Sequence, residues 1–419
     1  MTVNVEDVER VLAQLRDPDK QLRNKLMGEL RAWEKEPLSP AAAHRLLQAA
    51  TDEYPAVEGW PATPNEQLVS MLSKGAQVDP AVALEVYPRL NVECRAWVLR
   101  LLASLASKEA SAALARLLSG AREGAGLPDV HWPVLLPLER APRHPELLAG
   151  PLSRCLEANI WPRGVASALL GYAKARLLAL EQRQVTAAAA ATRLSDLLTR
   201  LSSLDREHRW EGEYQSMRSE AGLLLDLVGE LKVDGCRNVL AVAVQHQDPW
   251  IVLWGALGLL RSNVPVSDEA IERVAADAES RLPLFDCLAA LGQTERYPTK
   301  YRNQSALAES NMVRWLIYPT ELGRGPDEME EIAILPLTTK DGMADLYMYR
   351  FRTFEPHWAA KDGWMVSAAG PFLRSEQPTT RSLGATFSRF EKFDTKTIED
   401  HSVAILDTLT DWRRAAGRA

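Results

Sequence analysis

The densest polar and aromatic cluster in the chain is Glu355, Pro356, His357, Trp358, Lys361, Asp362, Gly363 and Trp364. On a loop between two strands, His357 and Asp362 have the right types for an acid–base pair beside a tryptophan wall. The same residues also suit a structural corner, with Trp358 and Trp364 burying their rings, Asp362 and Gly363 making the turn, and His357 bonded to backbone. The corner is the simpler reading, because no nucleophile, oxyanion-stabilising motif or third catalytic member accompanies the pair. Just upstream, Arg350 and Arg352 alternate with Tyr349 and Phe351, so a strand there turns both arginines one way and both aromatics the other. Such an arginine face suits an acidic partner or a phosphate; a solvated face is the plainer alternative.

Three other places bear inspection. In HRWEGEYQ, His208 and Glu211 are three apart and can share a helix face, as a metal pair requires, but Glu213 points elsewhere. ELGRGPDE, from Glu321, has two glycines but neither a Walker lysine nor a GxGxxG pattern, and reads as a turn into a strand. Trp60 and Trp132 lie in proline-rich loops, where a tryptophan either anchors a protein interface or pins its own loop. Most of the other tryptophans belong to helical apolar stripes and are expected in the core. Neither a cofactor nor a metal site is expected.

The elements that must position these residues follow from hydrophobic spacing. From residue 5 to about 292 apolar residues recur at three and four, the period of amphipathic helices, as in Leu22, Leu26, Leu30 and Trp33. Asp17–Pro18 and Asp248–Pro249 break one helix and start the next, Asp as the cap and Pro in the first turn. Each helix alone leaves an apolar stripe in water, and stacking helical pairs buries those stripes in a continuous core. Two interruptions, residues 50–67 and 119–145, are rich in proline and glycine and read as surface loops. After Gly292 the pattern changes. EEIAILPL, MADLYMYRFRTF and GWMVSAAGPFL read as three antiparallel strands, with TTKDG giving a turn between the first two. Helices before and after them can cover one sheet face. The expected organisation is therefore mainly α, with a helical-repeat solenoid over 1–292 and a small α+β domain over 293–419.

The segment LRDPDKQLRNKLMGEL, Leu15 to Leu30, resembles the second half of a HEAT repeat: a Leu, an Asp-Pro turn, and Arg23 six residues after Asp17. In that family the turn Asp and helix Arg commonly help to bond neighbouring repeats. At the matching places after Asp248 and Asn91 the chain has Trp254 and Trp97. MVRWLIYPTELGRGPDEMEEI and FRTFEPHWAAKDGWMVSAAGPF are similar to the C-terminal segment of bacterial HEAT-repeat proteins, a likeness that carries a fold but no chemistry.

Charge and cysteines narrow the function. The 419 residues carry 49 basic and 56 acidic side chains, net −7, and residues 301–419 hold 15 − 17 = −2 of it, so neither part has the basic excess that grips nucleic acid. Cys94, Cys155, Cys236 and Cys287 are far apart with no CxxC pair and read as buried thiols of a reducing compartment. No basic-then-apolar leader and no apolar run of about 18 residues occurs, so a soluble, cytoplasmic protein is expected. The leading expectation is a non-catalytic scaffold that binds a protein through its repeat surface. The alternatives are a HEAT-like DNA-modifying enzyme of glycosylase type and an enzyme using His357 and Asp362.

Overall fold

A computed structural model of the chain describes residues 2–74, 77–120, 134–204, 209–318, 322–354, 363–378 and 386–415. They form a mainly helical structure with a four-stranded antiparallel sheet near the C-terminus. The contacts divide the chain into two compact units, 1–203 with 216–240, and 204–215 with 241–419. The second unit thus takes in residues 241–292, which the sequence pattern had grouped with the preceding helices.

The first unit contains α1 (Val5–Gln14), α2 (Lys20–Trp33), α3 (Pro40–Ala49), α4 (Pro64–Ser70), α5 (Pro80–Val86) and α6 (Val92–Ser104). It continues through α7 (Lys108–Ser119), α8 (Leu136–Arg140), α9 (Pro145–Glu157), α10 (Pro162–Lys174) and α11 (Leu180–Ser203). The division falls within the next two helices, α12 (Gly212–Leu231) and α13 (Arg237–Val244). Many of these helices pack on the next and the next but one: α1 on α2 and α3, α3 on α4 and α5, α9 on α10 and α11. The period-3.6 stripes meet there, with Leu26, Leu30, Leu46, Leu99, Leu152 and Leu194 all buried. Residues 121–133 of the second interruption lie outside the described residues, and the five-residue helix α8 follows them.

Helix starts repeat one device. Ser39, Thr63, Asp79 and Asp248 each accept a backbone N–H of the first turn with their side chain, and each is followed by proline. The Asp17–Pro18 break differs from expectation. The cap of α2 is Asp19, which accepts the N–H of Gln21 at 2.8 Å, while Asp17 accepts the N–H of Asp19. Counting from the true cap brings out a regularity that counting from Asp17 hides. An arginine stands four residues after Asp19, Asn91 and Asp277, the caps of α2, α6 and a later helix. Each turns back onto the turn before its helix. Arg23 donates to the Asp17 carbonyl at 2.5 Å, Arg95 to those of Tyr87 and Pro88, and Arg281 to those of Ala275 and Ala276.

The second unit contains α14 (Pro249–Arg261), α15 (Asp268–Ala276), α16 (Ala278–Ala290) and α17 (Gln304–Ile317). Four strands follow, β1 (Glu328–Thr339), β2 (Gly342–Arg352), β3 (Met365–Leu373) and β4 (Phe387–Lys392), and then α18 (Ile398–Ala415). The strands pair in chain order, all antiparallel. A two-residue turn, Lys340–Asp341, joins β1 to β2, and Gly342 takes the φ of 126° that a side chain would resist. The fourth strand was not foreseen, being six residues long with only two apolar residues.

The two flanking helices do not share a sheet face. Ala308, Met312 and Leu316 of α17 pack on Tyr347, Tyr349 and Phe351, whereas Ile405 and Leu409 of α18 pack on Leu346, Met348 and Val366. Helices on both faces explain why β2 and β3 are buried along nearly their whole length instead of on alternate residues. The tryptophans also depart from expectation. Among those described Trp33 is buried, Trp412 is exposed, and the rest sit at the margins of the core, the usual place for so large a ring with a polar N–H.

Candidate functional site: an arginine–aromatic ladder at one end of the sheet

Antiparallel pairing brings the start of β1, the end of β2, the start of β3 and the end of β4 to the same end of the sheet. The alternation of β2 buries Tyr349 and Phe351 against α17 and turns Arg350 and Arg352 to the opposite face. The Arg350 guanidinium lies 4.4 Å from the centre of the Trp364 ring and 5.5 Å from that of Phe393. Arg352 lies 4.7 Å from the same Trp364 ring and 5.2 Å from Phe354. The result is a ladder of alternating rings and guanidiniums, Phe393, Arg350, Trp364, Arg352 and Phe354. At its inner end Phe393 stacks on His401, with ring centres 5.3 Å apart and planes 14° from parallel. Backbone fixes this end, since Phe393 donates its N–H to the Trp364 carbonyl at 2.6 Å and its own carbonyl lies 2.8 Å from His401 Nε2.

The arginines are also paired across the strand. Arg350 donates to Glu330 at 2.8 Å through Nε, and Arg352 donates to Glu328. A β-bulge between Glu331 and Ala333 makes these pairs possible. Continuing the register of the turn would set Glu331 against Arg350 and Met329 against Arg352. The extra residue shifts the strand by one and brings Glu330 and Glu328 into line, with Met329 placed in the core under α17. Asp327 closes the corner: its N–H goes to the Arg352 carbonyl at 3.0 Å, and its carboxylate accepts the Phe354 N–H at 2.7 Å and Arg324 at 3.0 Å.

Two guanidiniums against two carboxylates leave no net charge, so the ladder is not a phosphate clamp. It is a flat, half-exposed stack whose outer rung, Phe354, is 61% exposed. Each stacked cation contributes about 0.5–1 kcal/mol at such an exposure. The phenol of Tyr349, behind it, is pushed far above its ordinary range by burial and is no proton donor to this face. Lys396, assisted by Arg389, holds the Glu391 carboxyl below its usual range, so it stays ionised 3.6 Å from His401.

No family model matches the chain, and no curated protein matches it.

Of the residues singled out from sequence, Arg350, Arg352 and Trp364 come together in the ladder. His357, Trp358 and Asp362 belong to the connection between β2 and β3, and with Trp132 and His208 they lie outside the described residues. Trp60 is elsewhere, half-buried, its indole N–H donating to Asn24 Oδ1 of α2 at 2.8 Å, which pins its loop to that helix. Glu211 and Glu213 are exposed, and among the described residues no three His, Cys, Asp or Glu side chains gather as a metal site. Cys94 and Cys155 are buried, and desolvation pushes their thiols up to about 12 and about 11. Sequence reasoning missed Glu328, Glu330, Phe354 and Phe393. The pattern Glu-x-Glu before the turn and Arg-x-Arg after it was the available signal for the first two.

Proposed function

We propose that the chain is a protein-binding scaffold: a stack of HEAT-like helical pairs followed by an α+β module that presents the ladder to a partner. The ladder carries this reading. Tryptophan, phenylalanine and arginine are the residues on which protein interfaces concentrate their energy, and here they are pre-stacked, neutralised and half-exposed. A partner therefore meets side chains whose rotamers are already fixed, which lowers the entropy cost of docking. The packing of helices on the next and the next but one supports the repeat reading, as does the recurrence of a cap followed four residues later by an inward-turned arginine. Among the described residues no helix is long and apolar enough to cross a membrane. Four thiols without a disulfide agree with a reducing, cytoplasmic setting.

The test is capture of a partner by the full chain, identification by mass spectrometry, and titration with that partner purified. Trp364→Ala is expected to weaken binding at least tenfold while circular dichroism stays unchanged. Undiminished binding by that variant, or tight salt-dependent binding of DNA in place of a protein, overturns the reading.

A further inference from the structure

A second feature, in the first unit and independent of the ladder, concerns the arginines that stand four residues after a helix cap. The Nε–H and one Nη2–H of a guanidinium lie along one edge and suit two neighbouring oxygens. On Arg95 that edge grips the carbonyls of Tyr87 and Pro88, at 3.2 and 2.8 Å. On Arg281 it grips those of Ala275 and Ala276, at 2.8 and 3.2 Å. Arg23 differs. Its hydrogen bond among the described residues runs from Nη1, outside that edge, to the Asp17 carbonyl. The residue is only 9% exposed, and its Nε is buried without an acceptor.

A cleft of about 280 Å³ opens beside this arginine, lined also by Lys20, Ala56, Val57 and Glu58. Its volume is below the roughly 300–1,000 Å³ of sites that enclose drug-sized ligands, so it suits one side chain or a small acid. The wall is fixed, because Trp60, in the same loop as Ala56 and Val57, donates its indole N–H to Asn24, the residue after Arg23. Lys20 meets Glu58 at 3.2 Å, but the two side chains are 73% and 81% exposed, so the pair is weak and opens readily. Two cations of the lining thus face one carboxylate. Asp17 and Asp19 offset that excess, although their carboxylates are turned to the N–H groups of Asp19 and Gln21. Long-range attraction is therefore slight. Selection rests on the paired donors, which favour a planar carboxylate over a spherical ion. A buried donor without an acceptor is costly, and a ligand that supplies one relieves that cost.

We propose that this cleft binds a carboxylate on a short aliphatic stem, with its two oxygens on Nε and Nη2 of Arg23, its stem against Val57, and Lys20 released from Glu58 to join them. Nitrogen-15 NMR of the full chain tests this on the Arg23 Nε–H resonance, assigned through bonds from its own backbone. N-acetyl-glutamate amide represents a partner's side chain and glutarate a free acid, and the tighter of the two identifies the source. At least one is expected to shift the resonance with a millimolar Kd. N-acetyl-glutamine amide, of the same shape as the first probe but uncharged, is expected to bind at least tenfold more weakly. Glu58→Gln, a surface change, frees Lys20 and is expected to tighten the acids at least threefold with an unchanged melting temperature. A resonance unmoved by either acid at tens of millimolar, equal binding of the glutamine probe, or no tightening in Glu58→Gln overturns the proposal.

Discussion

On the helices Arg23, Arg95 and Arg281 turn back onto backbone carbonyls, whereas on the sheet Arg350 and Arg352 lie between aromatic rings and pair with exposed glutamates. The burial differs with the geometry. Arg281 is 5% exposed, donates to Ala275, Ala276, Ala306 and Glu309, and stacks on Tyr301. Arg350 and Arg352 keep about a third of their side chains in water. A buried guanidinium bonded to several carbonyls at once holds the fold, because its removal costs all of those charge-assisted bonds together. A half-exposed one on a ring adds little to stability and leaves its edge available for contact.

The largest effect expected from this contrast is that of Arg281→Ala, about 3 kcal/mol lost in urea unfolding, since the charge-assisted bonds to Ala275, Ala276, Ala306 and the partly exposed Glu309 are lost together. A loss below 1 kcal/mol would erase the distinction. Trp364→Ala should cost less, about 2 kcal/mol, from half a buried ring and two cation contacts. Combined with Arg350→Ala in a double-mutant cycle, it should reveal a coupling of about 0.5–1 kcal/mol, and strict additivity would mean that the stack is a coincidence of packing.

A smaller effect is expected from pH. His246 is buried, its Nδ1 accepts the Asp248 N–H at 3.0 Å, and its Nε2 has no partner. Burial, assisted by Arg273 and opposed by Asp248, holds this imidazole below its ordinary value of 6.5. The unfolded chain then takes up the proton first, so this stability is present above about 6.5 and is lost as the pH falls below it. Chemical unfolding at pH 7.5 and 5.5 should show the decline, and His246→Gln should reduce it; an identical decline in that variant would assign it to other groups.

The parts that were legible in the sequence are those governed by local spacing. The helical period, the Lys340–Asp341 turn and the opposed faces of Tyr349/Phe351 and Arg350/Arg352 needed only neighbours along the chain. The arginine four residues after a cap was also readable, but only with Asp19 taken as the cap in place of Asp17. What escaped depends on distant partners. Nothing near Ser305 or Lys396 says that their helices cover opposite faces, and nothing near Phe354 or Phe393 says that strand pairing will set both beside Arg350 and Arg352. The pairing of Glu330 with Arg350 in preference to Glu331 rests on one extra residue in β1, which composition does not announce.

That extra residue makes the first third of β1 a separate reading frame. Were Ile332 taken into the ladder as an ordinary residue, everything before it would rephase: Glu331 would come opposite Arg350, Met329 would emerge opposite Arg352, and the outer stack would exchange a charge for a thioether. The bulge, more than the identity of any residue in it, is therefore what sets which side chains this edge strand offers to the arginines.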